Sequence, residues 1–94
     1  MNQEELLNAC DAVIRLMPTR FDSHQFIRKF IYNFPSLYGK LLIKHDNVTT
    51  AHAEIANILK NYSVKLCIQE VNSSKDISVD IFDNLAKCAV WYKL

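Results

Sequence analysis

The sequence predicts a mainly helical domain that ends in a small β-hairpin or sheet. As far as residue 62, apolar residues recur at intervals of three or four, which is the spacing of amphipathic helices. After Ser63 the interval changes to two, as in a half-buried strand. The 94-residue chain has one Gly, two Pro and 50% hydrophobic residues. Short loops and a single domain over residues 1–94 are therefore expected.

A first helix is predicted over residues 3–17. Asn2 begins a capping-box pattern at its start, and Pro18 marks its end. Its apolar stripe consists of Leu6, Leu7, Cys10, Val13, Ile14 and Met17. Because the following segment contains three further helices, we interpret residues 1–18 as a helical extension of a unit that spans residues 22–94.

Two further helices are predicted on either side of Pro35. Asp22 and Gln25 form a second capping-box pattern, which begins a helix over residues 22–34. Proline disfavours helical geometry at the residue before it and is favourable at the first position of a helix. A third helix is therefore expected over residues 35–45.

The rest of the chain predicts one more helix and then strands. The helix covers residues 49–62 and follows a short polar turn at residues 45–48. The alternating apolar residues Val64, Leu66 and Ile68 predict a strand. The polar run at residues 72–76 predicts a turn after that strand.

Residues 77–87 fit two patterns, because their apolar residues suit the spacing of a strand and also that of a helix. We prefer two extended segments, 77–82 and 87–93, separated by the turn signal Asp83-Asn84. The β-branched and aromatic residues of the second segment have strong strand preferences, which favours this choice.

From residue 22 onwards the element order resembles that of winged helix-turn-helix domains, in which closely spaced helices precede a hairpin. Four short motifs also resemble those of small uncharacterised bacterial proteins of this type. They are Phe26-Ile27, Pro35-Ser36-Leu37-Tyr38, His52-Ala53-Glu54-Ile55 and Ala89-Val90-Trp91. The resemblance implies a winged-helix-like tri-helical core plus an N-terminal helix. It also implies a DNA-binding or regulatory function.

The same resemblance makes helix 49–62 the element that would enter the major groove of double-stranded DNA. Its outward residues are mostly small or polar, and asparagine can bond an adenine edge while lysine neutralises a phosphate. Glu54 is the exception, because a carboxylate repels phosphates. The predicted nucleic-acid-binding residues are Thr49, Thr50, Asn57, Lys60, Lys44, Lys40 and Lys75. The competing interpretation is an ordinary solvated helix face.

Charge supports the DNA-binding interpretation only locally. The net charge is +1, so overall electrostatics do not select a polyanionic partner. Residues 23–65 hold six basic residues and two acidic ones, a sum of +4. The segments on either side are slightly acidic, so the predicted helical core is the mildly basic part of the chain.

The alternative function is protein interaction, or a structural role without nucleic-acid binding. The chain has more aromatic residues than a small core readily buries, and aromatic side chains are enriched in interface cores. The six concerned, not all of which can be buried, are Phe21, Tyr32, Tyr62, Phe82, Trp91 and Tyr92. The apolar stripe of helix 3–17 is predicted either to form a homodimer with its copy or to pack on its own domain.

The histidines and cysteines do not form a catalytic or metal-binding pattern. No two histidines have the i,i+4 spacing of helical zinc ligands, and no two cysteines are close together. Cys67 with His52 is the only nucleophile and base pairing to consider. We therefore expect reduced, buried thiols, and predict no enzyme activity, no cofactor and no metal. The residues concerned are His24, His45, His52, Cys10, Cys67 and Cys88.

No apolar run approaches the length of a membrane span. The first residues are acidic, whereas a signal peptide begins with basic ones. A cytoplasmic protein without a membrane partner is expected.

Overall fold

The computed structural model describes residues 2–94, and for residues 72–76 it describes the backbone alone. The helices and strands follow in this order: α1 (Gln3–Leu16), β1 (Arg20–Asp22), α2 (Ser23–Asn33), α3 (Pro35–His45), α4 (Val48–Asn61), α5 (Ser63–Leu66), β2 (Ile68–Val79) and β3 (Leu85–Lys93). The predicted fold class is confirmed at this level, because the chain is mainly helical and ends in antiparallel strands. None of the described helices is both long enough and apolar enough to cross a membrane.

The helices begin where local capping signals predict. The Asn2 side chain accepts a hydrogen bond from the backbone N–H of Glu5 at 2.8 Å. At the start of α2, the Asp22 carboxylate accepts from the Gln25 N–H at 2.8 Å, and the Gln25 side chain accepts from the Asp22 N–H at 2.9 Å. Pro35 occupies the first turn of α3. Each cap satisfies a backbone group that a helix end leaves without a partner.

One hydrophobic core joins α1 to the later helices and the sheet. Phe21 and Phe26 pack with their ring centroids 6.0 Å apart, and Phe26 and Phe30 follow at 6.5 Å. The whole predicted stripe of α1 is buried in this core: Leu6, Leu7, Cys10, Val13, Ile14 and Met17. The chain's own residues cover the stripe, so of the two alternatives helix 3–17 packs on its own domain, and its stripe offers no free apolar surface to a second copy.

The sheet has three strands in the order β1-β3-β2, and both neighbouring pairs are antiparallel. Strand β1 has no counterpart among the elements expected from the sequence. It pairs Phe21 with Trp91 across the ladder, which brings the segment after α1 against the end of the chain. Both side chains are buried, with 0% and 3% of their surface exposed. These two are thus buried, whereas Tyr32, Phe82 and Tyr92 are exposed, so the expectation that not all six aromatic residues can be buried is confirmed.

Two further predictions near the sheet are corrected. The segment Ser63–Leu66 is the helical turn α5 and not a strand, and Cys67 ends it with the left-handed φ of 57°. The predicted turn at residues 72–76 is absent, because β2 continues to Val79 with a register shift between Glu70 and Lys75. A bulge-like shift accommodates an irregular stretch without ending the strand.

The hairpin turn lies between β2 and β3, at residues 80–84. The Asp80 carboxylate accepts from the backbone N–H groups of Phe82 and Asn84 at 2.8 and 3.0 Å. The strand interpretation of residues 77–87 is therefore right in kind, although the turn begins earlier than predicted. Cys10 is buried as expected, whereas Cys67 is exposed, which corrects the expectation for that thiol.

Candidate nucleic-acid interface

The connection between α3 and α4 is two residues long. Asp46 adopts the left-handed conformation (φ 50°, ψ 29°), and its N–H donates to the Leu42 carbonyl oxygen at 2.8 Å. Asn47 then caps α4, since its side chain accepts from the Thr50 N–H at 2.9 Å. A left-handed residue and an N-cap in succession end one helix and begin the next. The direction of α4 is thereby set within one turn of its start.

Burial on one side of α4 determines which residues face solvent. Ala51, Ile55, Ile58 and Leu59 lie in the core. The opposite side is exposed and is called here the α4 outer face. It consists of Thr49, Thr50, Ala53, Asn57, Lys60 and Asn61. The face carries hydroxyl, amide, methyl and ammonium groups, and no acidic residue belongs to it.

Glu54 lies beside this face but is turned towards α3. Its Oε1 accepts from Lys44 Nζ at 2.6 Å. Its Oε2 lies 3.3 Å from His45 Nε2, close enough for an ion pair but not aligned as a hydrogen bond. Only 24% of the Glu54 side chain is exposed. The carboxylate therefore ties α4 to α3 instead of projecting towards a ligand.

The electrostatics of Glu54 follow from these contacts. Burial alone would raise the pKa of its carboxyl group, but the contacts with Lys44 and His45 lower that pKa below its usual value. The group is thus ionised at neutral pH, and Lys44 neutralises it. The Glu54 carboxylate, which argued against binding in the DNA groove when only the sequence was considered, is therefore paired with Lys44. In exchange, Lys44 is not a free cation.

The structure brings together some of the predicted binding residues and separates others. Those on the α4 outer face are Thr49, Thr50, Asn57 and Lys60, and Lys44 lies next to them through Glu54. Lys40 instead leans towards α1, where its Nζ lies 3.9 Å from Glu5 Oε1. Lys75 belongs to β2, and its side chain lies outside the described residues.

Arg28 has a role that the sequence did not indicate. Its Nη2 donates to the carbonyl oxygens of Val79 and Asp80. These bonds fasten the hairpin turn to α2. The sequence contains no signal for this arrangement, because the donor and acceptors are about fifty residues apart.

The nucleophile and base pairing considered from sequence is not formed. His52 Nε2 bonds the hydroxyl of Tyr38 at 2.6 Å, and the two rings lie 5.6 Å apart. Burial is the main cause that lowers the pKa of His52, so its imidazole is neutral at pH 7. The Cys67 thiol is exposed and approaches the carbonyl oxygen of Lys65 at 4.0 Å.

Comparison of the chain with protein-family models, curated proteins and solved structures found no match.

Proposed function

We propose that this chain is a small DNA-binding module of winged-helix type that places the α4 outer face in the major groove of double-stranded DNA. The observation that carries the proposal is that this face is exposed and free of acidic residues, with Glu54 drawn away by Lys44. An α-helix fits the major groove, and small side chains let its backbone approach the bases. The short α3–α4 connection and the β2–β3 hairpin are further features in favour.

The side chains of the face suit different parts of a duplex. The Asn57 amide can pair with the edge of adenine, and the methyl groups of Thr49 and Ala53 can contact a thymine methyl. Lys60, in the last turn of α4, is placed to neutralise a phosphate. In this proposal Asn57 carries sequence preference and Lys60 carries sequence-independent affinity.

The number of free cations near the face limits the affinity. Lys44 is paired with Glu54, and Lys40 leans away towards α1. Few phosphate contacts mean weak non-specific binding, with a Kd on the order of 10⁻⁴ to 10⁻⁶ M at physiological salt. Each contact contributes about −0.9 to the slope of log K against log salt. With Lys60 as the cation that the α4 outer face supplies, we expect a shallow slope of about −1.

Fluorescence anisotropy with a labelled random-sequence duplex tests the proposal across a series of salt concentrations. The variants Asn57→Glu and Lys60→Glu each place an acid on the α4 outer face, and binding should be lost at low salt. Lys29→Glu is the matched control, since Lys29 is exposed on α2 and borders a hollow near Leu16 and Tyr32. The control should retain most of the wild-type affinity. Absence of wild-type binding at low salt, or an equal loss in the control, would contradict the proposal.

The hairpin favours a second candidate, protein interaction that begins with self-association. Ile77 and Leu85 are 66% and 73% exposed, Val79 lies opposite Leu85 in the ladder, and Phe82 in the following turn is also exposed. Clustered exposed apolar side chains mark interaction surfaces more often than chance. Light scattering that rises with concentration in the wild type but not in Leu85→Lys would support this candidate. A monomer at every concentration would count against it.

A further inference from the structure

We infer that Asp22, His24 and Cys88 form a binding site for Zn²⁺ or another divalent ion of similar ligand preference. One donor atom from each side chain lies within 4.8 Å of the other two. Asp22 and His24 come from the start of α2, whereas Cys88 comes from β3. Carboxylate oxygen, imidazole nitrogen and thiolate sulfur are the three donor types that zinc sites in proteins use.

The spacing fits an ion after a small adjustment. In tetrahedral zinc sites the bonds are about 2.0–2.3 Å long, which places donor atoms roughly 3.5 Å apart. The observed separations of up to 4.8 Å exceed this by at most about 1.3 Å. Closing this gap requires rotation of the half-buried His24 and Cys88 side chains.

Ser78 supports the arrangement from β2. Its hydroxyl lies 2.7 Å from His24 Nδ1 and 3.5 Å from Cys88 Sγ. It therefore contacts two of the three donor side chains and holds the imidazole and the thiol near each other. Hydrogen bonds of this kind orient metal ligands, and their loss typically weakens metal affinity about 10- to 100-fold.

Charge balance also fits a divalent ion. The Asp22 carboxylate has two oxygens, which together can accept both the Gln25 N–H and a metal bond. Cys88 supplies a second negative charge when its S–H proton leaves to solvent and a metal–sulfur bond forms. The two anions neutralise the ion. They also offset the positive potential at the N-terminus of α2, which alone would disfavour a cation.

Cobalt titration of the full chain tests this inference, because Co²⁺ bound to a thiolate absorbs in the near ultraviolet. We expect a thiolate-to-cobalt band that saturates at one ion per chain and disappears when Zn²⁺ is added. Cys88→Ser should lose the band. Cys67→Ser should retain it, and this variant is the matched control because the Cys67 thiol is exposed and is not one of the three donors. Ser78→Ala should bind Co²⁺ at least ten-fold more weakly.

Thermal unfolding in the presence of Zn²⁺ gives an independent measurement. Ions that bind the folded state raise Tm with concentration, so the wild type and Cys67→Ser should gain Tm and Cys88→Ser should not. Circular dichroism of each variant without metal shows whether it is folded. A wild type with no cobalt band, or a band that survives in folded Cys88→Ser, would overturn the inference.

Discussion

Replacing Glu54 with Gln tests how the α4 outer face is kept free of negative charge. The substitution preserves the size of the side chain and removes the charge that holds Lys44 at 2.6 Å. Lys44 then becomes available to a phosphate. If α4 binds DNA, Glu54→Gln should bind more tightly than the wild type while being slightly less stable.

The size of both effects follows from the contacts. One additional phosphate contact steepens the slope of log K against log salt by about 0.9, which corresponds to roughly ten-fold tighter binding at low salt. The Lys44 and Glu54 side chains are 53% and 24% exposed. A partly exposed ion pair contributes at most about 1 kcal/mol. In a domain of this size, its loss lowers Tm by a few degrees.

The stability cost should depend on pH with a defined sign. The contacts of Glu54 lower the pKa of its carboxyl group below the ordinary value of 4.5. The stabilisation is therefore complete above about pH 4.5, which is the unfolded-state value, and is lost as pH falls through the lower folded-state value. The difference in unfolding free energy between the wild type and Glu54→Gln should shrink below pH 4.5.

Anisotropy titrations at four salt concentrations measure the slope, and urea unfolding at pH 7 and pH 3 measures the stability difference. Glu5→Gln is the matched control, because Glu5 contacts Lys40 only loosely at 3.9 Å. Its slope should equal that of the wild type. An unchanged slope in Glu54→Gln, or an equal change in Glu5→Gln, would refute the reasoning that Lys44 is held back by Glu54.

Two other predictions concern the caps and the thiols. Asp22→Ala should lower the free energy of unfolding by about 1–2 kcal/mol, and Asn2→Ala by about 0.5 kcal/mol, as measured by urea unfolding. The reason is that the Asp22 cap is buried and reciprocal, whereas the Asn2 cap is exposed. Equal losses would show that burial of the cap is unimportant. An aromatic disulfide reagent should react with Cys67 in the folded protein and leave Cys10 unmodified until the chain unfolds. The reason is that burial raises the pKa of the Cys10 thiol to about 12. Rapid reaction of Cys10 in the folded protein would contradict its burial.

The helices were predictable because their signals are local. Asp22 and Gln25 cap α2 from three residues apart, and Pro35 acts on the residue immediately before it. Such interactions form whatever the rest of the fold does, so sequence spacing is sufficient to find them. The bounds of α1 to α4 consequently agree with expectation to within one or two residues.

The strands were predicted less well because their partners are distant. Strand β1 has three residues and no pattern of its own, and it exists through pairing with β3. The alternation at Val64 and Leu66 suggested a strand, yet Val64 is 89% exposed and the segment is a helical turn. Two apolar residues two positions apart do not distinguish a strand from a short helix.

The candidate sites show the same contrast between local features, which the sequence predicts, and contacts between distant residues, which it does not. The α4 outer face could be predicted, because helical spacing alone decides which residues oppose the buried ones. The direction in which the Glu54 side chain points could not be predicted, because it depends on the ion pair with Lys44 from the preceding helix. The group of Asp22, His24 and Cys88 was missed altogether, because only the folded sheet brings β3 to the start of α2.

The start of α2 also determines how the two proposals relate to each other. Ser23 accepts a hydrogen bond from Trp91 Nε1 at 3.3 Å, and His24 bonds Ser78 at 2.7 Å. A metal ion at this point would join α2 to the hairpin strands that it already contacts. Because none of its ligands lies on the α4 outer face, Zn²⁺ should stabilise the fold without changing the protein–DNA contacts. DNA affinity in Cys88→Ser should therefore equal that of the wild type, so the failure of either proposal leaves the other open to test.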